Sequence, residues 1–188
     1  MERVLAAVAA ASPSAGTTLV VAIDGRSGAG KSTLAHTLAG RLGAPLVSLE
    51  DLYGGWDGLE RGVSLLASAV LRPLAAGRAV SVPRYDWEAA AWREPWSLQP
   101  PTHLIVEGVG AGAKSLAPYT SVLVWLELDA HRRHDRALAR HYGDIYGIYG
   151  PEWERWSLHE DAFYERERPR DRADVVIEAE ELGDRAGA

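Results

Sequence analysis

The sequence predicts an α/β fold, a five-stranded parallel sheet covered by helices on both faces. Two observations carry that expectation. Short apolar runs alternate along the chain with segments whose apolar residues recur every three or four positions, which is the pattern of strand and crossover helix. A glycine-rich stretch, residues 25–32, then stands between the first such run and the first long helical segment.

In chain order, residues 18–23, 45–49, 102–107, 121–128 and 174–178 read as strands, and residues 31–42, 62–76, 130–141 and 151–168 as helices. The Ala-rich stretch 4–11 has only Glu2 and Arg3 as charges before it and a strand soon after, so it reads as a first helix rather than a leader. Two segments fit neither pattern. Residues 51–62 are rich in Gly and aromatics, and residues 79–101 carry Trp87, Trp92, Trp96 and four prolines without periodicity. Long irregular stretches inside a compact domain usually serve function. Residues 180–188 read as a frayed acidic tail.

With 188 residues, 47% of them hydrophobic, the chain can bury a core of its own, so one domain spanning 1–188 is expected. The 20 Lys and Arg against 26 Asp and Glu give a net charge of -6, which argues against nucleic acid or an anionic membrane as the main partner. No cysteine is present, which excludes a disulfide framework, a thiolate zinc site and a cysteine nucleophile, and fits the cytoplasm. No apolar run approaches the roughly 18 residues of a membrane span.

The stretch Gly25-Arg26-Ser27-Gly28-Ala29-Gly30-Lys31-Ser32 matches G-x-x-x-x-G-K-[ST], with an apolar strand before it and Leu34, Leu38 and Leu42 at helical spacing after it. Such a loop turns backbone N–H groups inward around phosphate oxygens, and the positive end of the next helix adds to the field. Gly25, Ser27, Gly28, Ala29, Gly30, Lys31, Ser32 and Thr33 are therefore expected around a nucleotide triphosphate. Lys31 would bridge the β- and γ-phosphates, and the Ser32 hydroxyl would ligate Mg²⁺. The stretch resembles the loop of the P-loop NTPases, which implies a three-layer sandwich.

The loop alone does not choose a reaction. No asparagine exists in the chain, so the N-K-x-D guanine reader is missing, and no L-S-G-G-Q segment marks a transport ATPase. A phosphotransferase with a small acceptor remains. Asp51 follows directly on the second strand, at the carboxyl edge where ligands collect, and could take the proton of an acceptor hydroxyl or simply cap the next turn. Glu107 ends the strand 104–107 before Gly108, where it could act on Mg²⁺ through water or serve as a structural acceptor. Nine of the eighteen arginines fall between Arg132 and Arg172. Arg132, Arg133, Arg136 and Arg140 share one helical face that could close over a transferring phosphate or stand solvated beside Asp129 and Asp135.

These residues resemble the uridine/cytidine kinase branch of the P-loop kinases. Residues 21–35 are similar to that family's phosphate loop with its Asp-Gly start, and Glu50-Asp51-Leu52-Tyr53 to its D-x-F-Y segment. Val82-Pro83-Arg84-Tyr85-Asp86-Trp87 is similar to its V-P-x-Y-D-F hairpin, and Ile105-Val106-Glu107-Gly108 to its V-x-E-G strand end. The arginines after Leu128-Asp129 resemble its lid helix, and residues 172–177 its last strand. The resemblance implies strand order 2-3-1-4-5, ATP with Mg²⁺ as donor, and Asp51 as catalytic base. After the hairpin the family has a histidine and an arginine. This chain reads Glu88-Ala89-Ala90-Ala91-Trp92-Arg93, with Arg93 in the arginine's place.

The expected catalytic set is thus Asp51, Lys31, Arg132, Arg136 and Arg140, with Ser32, Asp51 and Glu107 on the metal side. Tyr53, Trp56, Tyr85 and Trp87 are expected at the acceptor, because aromatic rings hold flat molecules well, or else as cover for the sheet edge. The hairpin resemblance implies Asp86 and Arg93 there as well, and Arg84 with Arg93 could supply a cationic subsite. Trp153 and Trp156 are expected as packing residues. The acceptor-binding segments would be about 51–62 and 79–101, and the lid about 130–150. The function expected is ATP-dependent transfer to a nucleoside-like small molecule in the cytoplasm, with a homo-oligomer allowed. Two alternatives stand beside it: a kinase for a nucleoside monophosphate, sugar or natural-product alcohol, and an ATP-dependent regulator that is no kinase.

Overall fold

In the computed structural model, residues 1–133, 136 and 151–179 are described, with 151–153 as backbone only. The expected α/β class holds. Five strands, β1 (Leu19–Gly25), β2 (Leu46–Ser48), β5 (His103–Glu107), β6 (Val122–Glu127) and β7 (Val175–Glu178), form one parallel sheet in the order β2-β5-β1-β6-β7. The two strands missing from that series, β3 (Val80–Asp86) and β4 (Ala91–Leu98), pair only with each other. Their insertion is what separates the observed numbering from the expected 2-3-1-4-5.

Every residue of β1 is buried, as a central parallel strand requires when helices cover both faces. Successive side chains point to opposite faces, and this divides the strand between two cores. Val20 and Ala22 join Leu104, Val106, Leu123 and Trp125 in one, while Val21 and Ile23 join Ile105, Val122, Val124 and Leu126 in the other. The second core is closed by α1 (Glu2–Ala10) through Val4 and Val8, and by α2 (Lys31–Leu42) through Leu34, Ala35 and Leu38. The Ala-rich start is therefore a covering helix, as expected.

The first core is closed by α3 (Glu50–Tyr53), α4 (Leu59–Leu65), α5 (Arg72–Ala75), the hairpin and α6 (Pro151–Glu167). The helix expected over 62–76 is one of these units, but it starts earlier and widens into a π-helical stretch, Leu66–Leu71, before α5. Pro73 supplies a reason. It has no N–H for the carbonyl four residues back and its ring crowds that carbonyl, and a looser turn relieves both.

Residues 79–101 are not irregular. They form an antiparallel hairpin in which Val80, Val82 and Leu98 face the core while most of β4 is exposed. A strand that projects into solvent needs no apolar alternation, and the register shift between Val82 and Arg84 falls at Pro83, which cannot donate to the ladder. Residues 51–62 likewise contain α3 and the start of α4. Residues 130–133 are helical, while Asp135, Arg140 and the expected acidic tail lie outside the described residues. Among those described, no helix is long and apolar enough to cross a membrane.

Candidate active site

The loop that follows β1 runs into α2, whose N-cap is Gly30 at φ 98°. Its three glycines are needed for different reasons. A Cβ on Gly28 would lie 2.5 Å from the Arg133 carbonyl oxygen, and one on Gly25 would strike the Leu126 carbonyl. These two positions admit neighbouring backbone rather than ligand. At Gly30 the nearest atoms to an added Cβ are Arg136 Nη1 and Leu126 Cδ2, both 3.8 Å away, so this position leaves open space next to a guanidinium. Lys31, only 7% exposed, donates from Nζ to the Arg26 carbonyl at 3.1 Å, which holds its ammonium across the loop. Thr33 is exposed on the first turn of α2.

The sheet register brings the acidic residues to the same edge. Ile23 pairs with Glu107 and Ser48 pairs with Glu107, so Glu107 stands between the strand that feeds the loop and the strand that feeds Asp51. Its carboxylate is buried and accepts from Ser32 Oγ at 3.2 Å and Ser48 Oγ at 2.7 Å. Asp51, in α3, is half-buried. Burial raises its carboxyl above the usual aspartate range, Arg84 pulls it back down, and the Glu107 charge pushes it up. The expected base, the expected metal-side glutamate and one hairpin arginine thus share one electrostatic neighbourhood.

Apart from Arg84, placed above beside Asp51, the expected acceptor residues divide into three groups. Tyr53 belongs to the core: it is 2% exposed and its hydroxyl donates to the Val109 carbonyl at 2.8 Å. Asp86 and Arg93 are ion-paired with each other at the hairpin end, and Asp86 Oδ1 also accepts the turn amides of Glu88 at 2.9 Å and Ala89 at 3.0 Å. That pair serves the turn. The remaining residues form an aromatic wall: Trp87 lies 5.2 Å from Trp56 and 5.5 Å from Tyr85, and Tyr85 lies 5.3 Å from Trp92, all edge to face. Trp87 Nε1 donates to the Glu50 carbonyl at 3.0 Å, tying this wall to the residue before Asp51.

Of the arginines expected in the lid, Arg136 lies at the phosphate loop, its Nη1 3.8 Å from where a Cβ on Gly30 would stand. Arg132 is exposed; its amide and that of His131 are capped by Asp129 Oδ1 at 3.3 and 3.0 Å. Asp129 therefore satisfies backbone donors of this turn, and those bonds hold its carboxyl below the usual range.

Two groups escaped the sequence reading. Asp24 is fully buried and accepts from the Gly25 amide at 2.7 Å, the Gly110 amide at 3.2 Å, the Gly112 amide at 2.8 Å and the Tyr164 hydroxyl at 2.6 Å. Burial pushes its carboxyl up in spite of these donors and of Lys31. A lone acid closing an otherwise apolar strand was the available signal. The other group is on α6: Trp156 Nε1 donates to Ser27 Oγ at 3.0 Å, and Glu160 Oε1 accepts the Ser27 amide at 2.7 Å. Trp156 does pack as expected, 5.0 Å from Tyr53, but it also touches the loop.

The chain superposes on a candidate uridine kinase from Bacillus stearothermophilus with TM-score 0.61 and 24% identity, over 87% of this chain and 90% of that one. It also superposes on a candidate fructose transport system kinase from Silicibacter sp. TM1040 with TM-score 0.62 and 20% identity, over 94% of this chain and 96% of that one. The chain shares its α/β fold with both of these proteins. No protein-family model matches the sequence, and no curated protein matches it. At this identity the likeness concerns architecture, and residue roles rest on local geometry.

Proposed function

We propose that this protein is an ATP-dependent phosphotransferase that moves the γ-phosphoryl group onto a hydroxyl of a nucleoside-like small molecule. One observation carries the reading: the Lys31–Ser32 end of the phosphate loop, the buried Glu107 and the half-buried Asp51 meet at one sheet edge beneath an aromatic hairpin. In the transfer, the Asp51 carboxylate accepts the acceptor hydroxyl proton as the new oxygen–phosphorus bond forms. The bond from the γ-phosphorus to the β,γ-bridging oxygen breaks, and ADP leaves. Lys31 and Arg136 offset charge on the transferring group.

The residues fit Mg²⁺. Among the described residues no group of three or more His, Asp or Glu forms a closed metal cage, and Mg²⁺ ordinarily takes one or two protein ligands with phosphates and waters. Ser32 and Glu107 are the side chains that would hold it, Glu107 through water, and when bound it would neutralise the phosphate oxygens. The Arg93–Asp86 pair removes one cation that a phosphorylated acceptor would need, which favours a neutral alcohol.

The test is a panel of nucleosides, sugars and other alcohols incubated with ATP and Mg²⁺, read by ADP release and by mass spectrometry of the phosphate ester. One acceptor that raises ADP release well above the rate with water alone supports the proposal. Release that never exceeds the water rate and responds only to an added protein would replace it with the regulator reading.

A further inference from the structure

Trp156, Glu160 and Tyr164 stand four residues apart on α6, so they share one face, and that face reads the phosphate loop residue by residue. The Tyr164 hydroxyl is shared between Asp24 Oδ1 at 2.6 Å and the Gly25 carbonyl at 3.0 Å. Trp156 holds the Ser27 hydroxyl and Glu160 the Ser27 amide. The Ser27 carbonyl is taken by Arg133 Nη1 at 3.4 Å. All three polar groups of Ser27 are therefore committed to elements outside the loop.

Glu160 is the unexpected member. It is 2% exposed, at a position where an apolar side chain would serve packing better, and a buried carboxylate is costly unless paired. Beside a loop built for polyphosphate it is also a like charge. Its partners come from two segments: Oε1 takes the Ser27 amide, while Oε2 lies 3.4 Å from Arg26 Nη1 and 4.0 Å from Arg133 Nη1. Arg133 is fixed further by its Nε bond to the Leu128 carbonyl at 3.1 Å, and its own carbonyl presses on Gly28. One helical turn later comes Arg136, the guanidinium beside Gly30.

We infer that Glu160 is a positioning residue for phosphoryl transfer: it clasps Ser27 and Arg133 together, and so docks the start of the lid segment, with Arg136, against the phosphate loop. It acts through these residues and touches no reacting atom. The inference rests on the phosphotransferase reading, and it makes a prediction that a merely structural acid would not. Removing the charge takes a like charge away from the polyphosphate, so nucleotide binding should hold or tighten, while a misdirected guanidinium slows the transfer step.

Glu160→Gln, Arg133→Gln and the double variant test this in the full chain. For Glu160→Gln the expected result is a kcat about ten- to a hundredfold lower, the loss that misplacement of about 1 Å can cause. Binding of a non-hydrolysable ATP analogue, by calorimetry, should stay equal or become tighter. The double variant should be no slower than the slower single variant, because one clasp is broken in each. A wild-type kcat in Glu160→Gln, or kcat, nucleotide binding and melting temperature falling together, would overturn the inference. If the wild type transfers phosphate to no acceptor, the photransferase reading fails on its own, and hydrogen exchange still decides the clasp. Glu160→Ala should then exchange amides 25–30 about tenfold faster than wild type, and unchanged exchange would overturn it.

Discussion

Ser32 and Glu107, 75 residues apart in the chain, are joined by a 3.2 Å hydrogen bond from the serine hydroxyl to the carboxylate. The pairing of Ile23 with Glu107 makes the contact, because it sets the end of β5 beside the strand that feeds the loop. Glu107→Gln keeps one acceptor oxygen for Ser32 or Ser48, turns the other oxygen into an amide NH2 that can donate to the second hydroxyl, and removes the charge. The fold should survive, and the Mg²⁺ concentration for half-maximal activity should rise about tenfold, the usual scale for an outer-shell group. A magnesium titration checks it, and an unmoved midpoint would remove Glu107 from the metal side.

Asp51→Asn should retain ATP binding and lose about 10²- to 10⁴-fold in transfer, the range of a general base. The sign of its stability effect is opposite. Since the folded protein raises this carboxyl above its ordinary value, the stability it contributes is fully present below that ordinary value and is lost as pH rises through the raised one. At neutral pH the charged form is disfavoured in the fold, so the asparagine variant should melt no lower than wild type, and higher if burial dominates. Calorimetry at pH 7 reads this. A large drop in melting temperature would show that Asp51 is chiefly a structural cap.

With Asp51 as the proposed base, the same electrostatics should set the acidic limb of the rate profile. Arg84 lowers the Asp51 carboxyl and Glu107 raises it, so Arg84→Gln should move the acidic limb of kcat/KM to higher pH. A limb that stays in place would mean that another group is the base.

Tyr53 and Trp87 look interchangeable as acceptor aromatics in the sequence, but the fold separates them. Tyr53→Phe deletes the bond to the Val109 carbonyl and should cost about 1 kcal/mol of stability with the acceptor KM within about twofold. Trp87→Ala opens the wall beside Trp56 and Tyr85, so the acceptor KM should rise about tenfold or more, on the scale of one stacking contact. Steady-state kinetics with thermal melts separates the two, and the reverse pattern would relocate the acceptor.

Gly28→Ala should be more damaging to stability than Gly30→Ala. Both glycines have positive φ, which costs an L-residue roughly 1 to 3 kcal/mol, but only Gly28 also meets a backbone carbonyl, that of Arg133. Equal melting temperatures for the two variants would mean that Arg133 is not docked there.

The order of strands and helices and the phosphate loop were legible because they are local: a fully buried central strand has to be an apolar run, and a backbone phosphate cradle has to be glycine with a lysine at its end. The placement of Asp51 and Glu107 was legible too, since strand ends in a parallel sheet share one edge. The hairpin was legible only through the likeness of residues 82–87 to the family's hairpin, and not from periodicity, because β4 is largely exposed and leaves no apolar period in the sequence. Nor could spacing divide Tyr53 in the core from Trp87 on the wall, or show that Gly28 yields to Arg133 and that Glu160 reaches Ser27. Each depends on a contact between distant segments, the last on where α6, 133 residues further along, comes to rest on the loop, and side-chain contacts across such distances are decided by packing.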